Sequence, residues 1–159
     1  MPSEDTNSAS PILWRGTATN PVAMAVSLVF LAAAISAPFA GAYGTGAFAV
    51  ILLATTITYT RVSLTIDRQE LVVAMGPWLF PRRVHPVADI EWVEFISVTR
   101  NESKMGIGYR GSNKKLRGRA ILLRPGDAIH FQGTRGIRHR VTVDGALGAV
   151  TVLERILPR

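Results

Sequence analysis

Cysteine is absent from the 159 residues of this chain. That excludes a disulfide framework, thiolate metal sites and cysteine nucleophiles, and fits a compartment where folding needs no oxidation. A second absence says more. From Gly16 to Thr60, 45 consecutive residues carry no acidic or basic side chain and no histidine. A hydrocarbon core about 30 Å thick takes roughly 20 apolar residues per helical crossing. The stretch therefore predicts two crossings and a turn. Pro21 marks the start of the first run and Pro38 its end, the cluster Gly41-Ala42-Tyr43-Gly44-Thr45-Gly46 supplies the turn, and a second apolar run follows from Ala47 to Tyr59. The expected element is a transmembrane helical hairpin over 16–60, with helices at about 21–39 and 44–60. Its interior offers only Ser and Thr as polar groups, so a membrane-embedded enzyme lacks the ionisable pair it would need.

Acidic residues are scarce and unevenly placed. The chain holds 18 Lys and Arg against 11 Asp and Glu, a net charge of +7. Residues 61–159 contain 17 Lys/Arg and 9 Asp/Glu, whereas the first 60 have Arg15 against Glu4 and Asp5. The turn between the helices has no positive charge, Arg15 precedes them and Arg61 follows. By the positive-inside rule both termini face the cytoplasm and the turn faces out of the plasma membrane. Trp14, Tyr43 and Tyr59, with Arg15 and Arg61, fall near the expected membrane–water boundaries, where amphipathic rings are favoured. A cleaved signal peptide ending at Ala37–Ala40 is the competing reading. The polar lead-in and the length of the apolar run argue against it. Residues 1–15 read as a disordered tail. Small residues four apart (Ala23/Ser27, Ala33/Ala37, Ala42/Gly46) allow close helix approach.

From Arg61 the period becomes two. Val62, Leu64 and Ile66 alternate with Ser63 and Thr65, which predicts a half-buried strand. Further strands are expected at Glu70–Met75, Leu79–His85, Ile90–Thr99, Arg119–Arg124, Asp127–Gln132 and Ile137–Val143. Asp144 is a candidate N-cap for an amphipathic helix over 144–157 carrying Ala146, Leu147, Val150, Leu153 and Leu157 on one face. The fold class expected is an α+β membrane protein, a helical hairpin followed by a seven-stranded antiparallel β barrel or sandwich over 61–159 with a C-terminal helix.

The segments Pro81–Ile90, Gly106-Ile107-Gly108-Tyr109-Arg110-Gly111, Arg119–Ala128 and Val141–Ala146 resemble those of small actinobacterial membrane proteins that join a short transmembrane unit to a bacterial PH-like domain. The resemblance covers roughly residues 61–157 and implies a pleckstrin-homology-type fold. It carries no defined activity. Members of that family often have Trp where Ile107 stands.

Gly106-x-Gly108-x-x-Gly111 has the spacing of a dinucleotide fingerprint, but Ser112–Gly118 is polar and basic where a helix would have to begin. Those glycines read as a loop, with a backbone nest for an anion as the functional alternative. The surrounding stretch is the strongest binding candidate. Arg100, Lys104, Arg110, Lys114, Lys115, Arg117 and Arg119 face a single acid, Glu102, over 20 residues. Such a long connection is either functional or disordered, and cations beside an anionic leaflet gain about 1 kcal/mol each. Nucleic acid is not an expected partner, because only Tyr109 could supply a stacking ring. In the hairpin bearing His130 and His139, a one-residue offset at Gly136 keeps Ile129 and Phe131 on the face of Val141, and sends the two histidines to opposite faces. No metal site, cofactor or catalytic residue is expected. Asp89, Glu91 and Glu94 read as local ion-pair partners of Arg82 and Arg83. The expected role is a non-enzymatic binding or scaffolding module at the inner leaflet, engaging anionic lipid or an acidic partner through the 100–119 stretch. The alternative is an accessory subunit of a larger membrane complex, with specificity carried by the helices.

Overall fold

The computed structural model describes residues 11–79, 81–99, 108–113, 118–133 and 136–158, with 108–113 described by their backbone. Among these residues the chain is α+β, with three helices and two sheets. Sheet A has the order β1-β2-β3-β4, formed by β1 (Trp14–Thr19), β2 (Arg61–Ile66), β3 (Glu70–Met75) and β4 (Arg82–Pro86). Sheet B has the order β5-β8-β9-β7-β6, formed by β5 (Ile90–Val98), β6 (Gly108–Asn113), β7 (Gly118–Leu122), β8 (Gly126–Gly133) and β9 (Arg138–Thr142). The helices are α1 (Pro21–Phe39), α2 (Tyr43–Thr58) and α3 (Ala146–Ile156).

The first departure from expectation is β1. The lead-in to the hairpin is no tail from Trp14 onward. It pairs antiparallel with β2 in the register Trp14↔Ile66 through Thr19↔Arg61. Its apolar content is too low to announce a strand. Once β2 lies alongside, Ala18 joins the core and alternate residues of 14–19 find backbone partners. The ladder runs on to the helix boundary, where the Asn20 N–H donates to the Thr60 carbonyl at 2.8 Å. Asn20 is also the N-cap of α1. Its Oδ1 accepts from the N–H groups of Val22 and Ala23, each at 3.1 Å, and Pro21 takes the first helical position, where no N–H is needed. The two helices are therefore an insertion between neighbouring strands of one sheet.

Among the described residues only α1, at 19 residues and a mean hydropathy of 2.2, is long and apolar enough to cross a membrane. The shorter α2 has 16 residues and begins at Tyr43, so it rises about 24 Å. The helices pack through small side chains. Ser27, Ala37, Gly46 and Ala49 are buried, a Cβ at Gly46 would stand 3.3 Å from that of Ala37, and the Ser27 hydroxyl donates to Thr56 Oγ1 at 3.1 Å. Most other residues point outward and are apolar.

The second departure is sheet B. Instead of seven antiparallel strands, the two sheets hold nine among the described residues, and β7 runs parallel to β9. One of the extra strands is β6, inside what reads as one long loop. The parallel pair arises because β8 lies between β5 and β9, so the chain leaving β7 must step over β9. Two strand spacings are about 9.6 Å, within reach of the Leu123–Pro125 link. Gly118 opens the parallel pair, and a side chain there would collide with the Arg138 carbonyl. The main core lies between the sheets and under α3, with Leu64, Ile66, Leu71, Ile129, Phe131 and Leu153 fully buried. The N-cap of α3 is Gly145, at φ 71°, one residue beyond the expected Asp144. Asp144 instead pairs with Arg124.

Thr142 ties β9 to the end of β7. It is 1% exposed, and its Oγ1 accepts from the Leu123 N–H at 3.0 Å. Thr142→Val leaves that amide unpaired in the core and is expected to cost about 1–3 kcal/mol. Thr142→Ser, which keeps the hydroxyl, should lose less. Guanidinium unfolding of the detergent-solubilised protein, followed by circular dichroism, measures both.

Candidate functional site

Two places on the β domain have the makings of a site. The first is the foot of the hairpin. Thr19, Thr60 and Arg61 sit where the ladder meets the helices, and the Gly76 N–H donates to the Arg61 carbonyl at 2.7 Å. That bond draws the turn between β3 and β4 to the foot. Gly76 at φ 73° and Leu79 at φ 57° give the turn two left-handed residues, a conformation costing about 1–2 kcal/mol for leucine. The result is a Trp78 side chain 74% exposed beside the apolar helices. An apolar groove of about 440 Å³ also opens here, lined by Met24, Leu28, Leu31, Leu53, Ile57 and Pro77 among others.

The expected boundary residues are spread along the molecule. Arg61 is exposed at the foot, and Tyr59 is half-buried there, packed on the core. Tyr43 is exposed at the opposite, turn end of the hairpin. Trp14 and Arg15 pair with Ile66 and Thr65, at the far end of β1, about 13–17 Å from the foot. Trp14 packs on the core and against Gly148 of α3. It is a residue of the β domain, carried by β1 away from the helices.

The basic stretch is divided by β6. Arg100, Lys104, Gly106, Lys114, Lys115 and Arg117 lie outside the described residues. The strand ends that bracket them do not. Ile121 shares a cavity with Thr58 and Tyr59, so the Leu122 end of β7 is the hairpin end of sheet B. Gly108 pairs with Leu122 there, and Asn113 pairs with Gly118 at the other end. The Gly108 end of β6 thus lies on the hairpin side of sheet B and its Asn113 end on the opposite side. Arg110 pairs with Ala120 in β6. Gly108 and Gly111 belong to the same strand, whose pairing with β7 shifts register between Arg110 and Asn113.

The second place is a cleft of about 440 Å³ between β4, β7 and β9, lined by His85, Asp89, Arg119, Phe131, Gly133 and His139 among others. No single motif in the sequence announces it. β4 is an edge strand whose inward positions are Arg83 and His85, with Val84 outward. On β9, the one-residue offset is as expected. His139 pairs with Phe131, and His130 with Arg140, so the histidines take opposite faces. The offset thereby puts His139 on the core side. Its ring stacks on Phe131, with centroids 4.9 Å apart and planes 13° from parallel. His85 approaches it edge-on at 4.5 Å. The alternation Arg83-x-His85 and the offset, taken together, are the signal in the sequence that could have revealed this cluster.

Both rings are held neutral. Burial lowers the His139 pKa to about 4, helped by His85, Arg119 and Arg83, and burial with Arg83 and Arg119 lowers that of His85. On the other face of sheet B, His130 is 4% exposed, with its Nδ1 2.7 Å from Glu94 Oε1. The carboxylate can only accept, so Nδ1 carries the proton. Nε2 has no hydrogen-bond partner among the described residues. Burial lowers this pKa too, against the pull of Glu94. Trp92 closes over the ring edge-on at 4.8 Å. Glu91 accepts from Gln132 Nε2 at 2.6 Å, so Glu91 and Glu94 both find partners on β8. Among the described residues no three His, Asp or Glu side chains could together hold a metal.

An unfolded histidine titrates near 6.5, so between that pH and about 4 the unfolded chain binds more protons than the folded one. Stability should therefore fall as pH drops through this window, with no further loss from His139 below it. His139→Gln is expected to flatten the dependence relative to the parent chain. Unfolding midpoints of both at pH 7, 5.5 and 4.5 check this.

Comparison with protein-family models, with curated proteins and with solved structures finds no significant match for this chain.

Proposed function

We propose that this chain is a membrane-anchored, non-enzymatic binding module of the plasma membrane. In this reading α1 and α2 form a two-helix transmembrane unit, and the β domain is PH-like, held against the inner leaflet with both termini in the cytoplasm. The observation that carries it is the β1–β2 ladder at the hairpin foot: Thr19 and Arg61 are partners, so the hairpin leaves and re-enters the domain on one side. Whatever the helices enter, the domain is pinned beside it. The helices are apolar all round, as a segment in lipid requires and a surface helix does not. Trp78 and Arg61 at the foot suit the headgroup layer. The cations of the 100–119 stretch would engage anionic lipid or an acidic partner. The apolar groove at the foot favours a second reading, in which a partner's helix fills it and the chain serves as an accessory subunit.

The cysteine-free chain permits a direct test. Tyr43→Cys, at the hairpin turn, should react with a membrane-impermeant maleimide in intact cells, and Thr151→Cys, exposed on α3, only after lysis. Protection of both until lysis would mean that the hairpin, with its short α2, does not reach the outer face. Labelling of Thr151→Cys from outside would invert the topology. A protein co-purifying stoichiometrically in mild detergent at high salt would favour the accessory-subunit reading.

A further inference from the structure

We infer that the cleft between β4, β7 and β9 binds a phosphate monoester, gripped by the Arg119 guanidinium and by ring N–H groups of His85 and His139. The inference deepens the reading of the β domain as a binding module and rests on it. Four observations converge here. Arg119 is exposed at the cleft and makes no hydrogen bond or ion pair among the described residues, so its donor fork is available for a phosphate, the geometry it matches best. The histidines are fixed rather than mobile, because Phe131 stacks under His139 and meets His85 edge-on at 5.2 Å. Each neutral ring has one N–H to donate. Arg83 lines the narrow seam that continues the cleft inward, and one carboxylate, Asp89, stands on the cleft wall. The volume, about 440 Å³, lies within the range of small-ligand sites.

Asp89 narrows the ligand class. It is exposed on the cleft wall, where it repels a second phosphate but accepts from a hydroxyl or ammonium on the esterified group. This disfavours polyphosphates. Position bears on the source. His85 pairs with Leu71, which pairs with Ile66, and Ile66 is five residues up β2 from the foot at Arg61, or about 17 Å. A soluble monoester reaches that level more readily than a headgroup of the anchoring leaflet.

The test is a titration of the full chain in phosphatidylcholine nanodiscs, with histidine rings isotopically labelled for NMR. Inorganic phosphate, then glycerol phosphate, should shift the His85 and His139 signals saturably and leave His130, on the opposite face, in place. Arg119→Gln should weaken the response about tenfold or more, and Arg138→Gln, on the other face of β9, should not. Arg119→Lys serves if the glutamine variant fails to fold, and should retain part of the affinity. Shifts seen only when the nanodiscs carry phosphatidic acid, and lost with Arg119→Gln, would support the same chemistry with a lipid source. No shift in either format, or equal weakening by Arg138→Gln, would overturn the inference. The maleimide labelling is unaffected by either outcome, so a failure here is separable from a failure of the anchoring.

Discussion

Everything else in this molecule depends on the backbone ladder between β1 and β2. It joins a segment before the helices to a segment after them, and so converts an apolar hairpin into the loop of a β-hairpin. The geometry of that junction is demanding. Neighbouring strands stand about 4.8 Å apart, whereas packed helices are usually 8–10 Å apart. Small residues reduce the mismatch. Ser27 meets Thr56 near the foot, and Gly46 meets Ala37 near the turn, so the helices can approach closely along their length. The remaining offset is taken up by Asn20 on one side and Tyr59-Thr60 on the other. Asn20 does three things there: it ends the ladder, caps α1 and is itself 1% exposed. The order of synthesis adds a constraint. β1 is made before the helices but has no partner until α2 is complete.

The same ladder sets the polarity of the domain. With the foot fixed, each sheet has a hairpin end and a far end. The exposed Trp78 turn is at the hairpin end. The His85–His139 cluster is at the far end, where β4 leaves sheet A open against β7 and β9. There the core trades aliphatic side chains for Arg83, His85 and His139, three polar groups whose burial must be offset by something. Stacking on Phe131 is part of the answer, and neutral imidazoles are another. A site that keeps its histidines neutral while two guanidiniums remain close suits an anion better than a cation.

Much of the fold was legible. β2, β3, β5, β8 and α3 lie within a residue or two of where period-two and helical patterning put them, because each has one strongly apolar face. The His130–His139 offset was legible for the same reason, since Ile129 and Phe131 could not share a face with Arg138 and Arg140. The misses also have physical causes. β1 (Trp-Arg-Gly-Thr-Ala-Thr) buries one small apolar residue fully and takes its stability from a partner strand 47 positions further on. β6 is glycine-rich and polar, so nothing local distinguished it from a loop. The cleft is harder to read because it is built by β4, β7, β8 and β9 together, and no single one of them announces it.

The most direct measurement is a cross-link across the ladder. Asn20 and Thr60 are a hydrogen-bonded pair, so three residues along, Thr17 and Ser63 form a non-hydrogen-bonded pair, with Cα atoms about 4.5 Å apart. That spacing accepts a disulfide. In native membranes, mild oxidation of Thr17→Cys/Ser63→Cys should close an intrachain bond that encloses both helices, identified by mass spectrometry. A Thr17→Cys/Asp89→Cys control should not close. If the first pair cross-links no better than the control, β1 is not docked on β2, and the hairpin hangs from the domain by one strand instead of two.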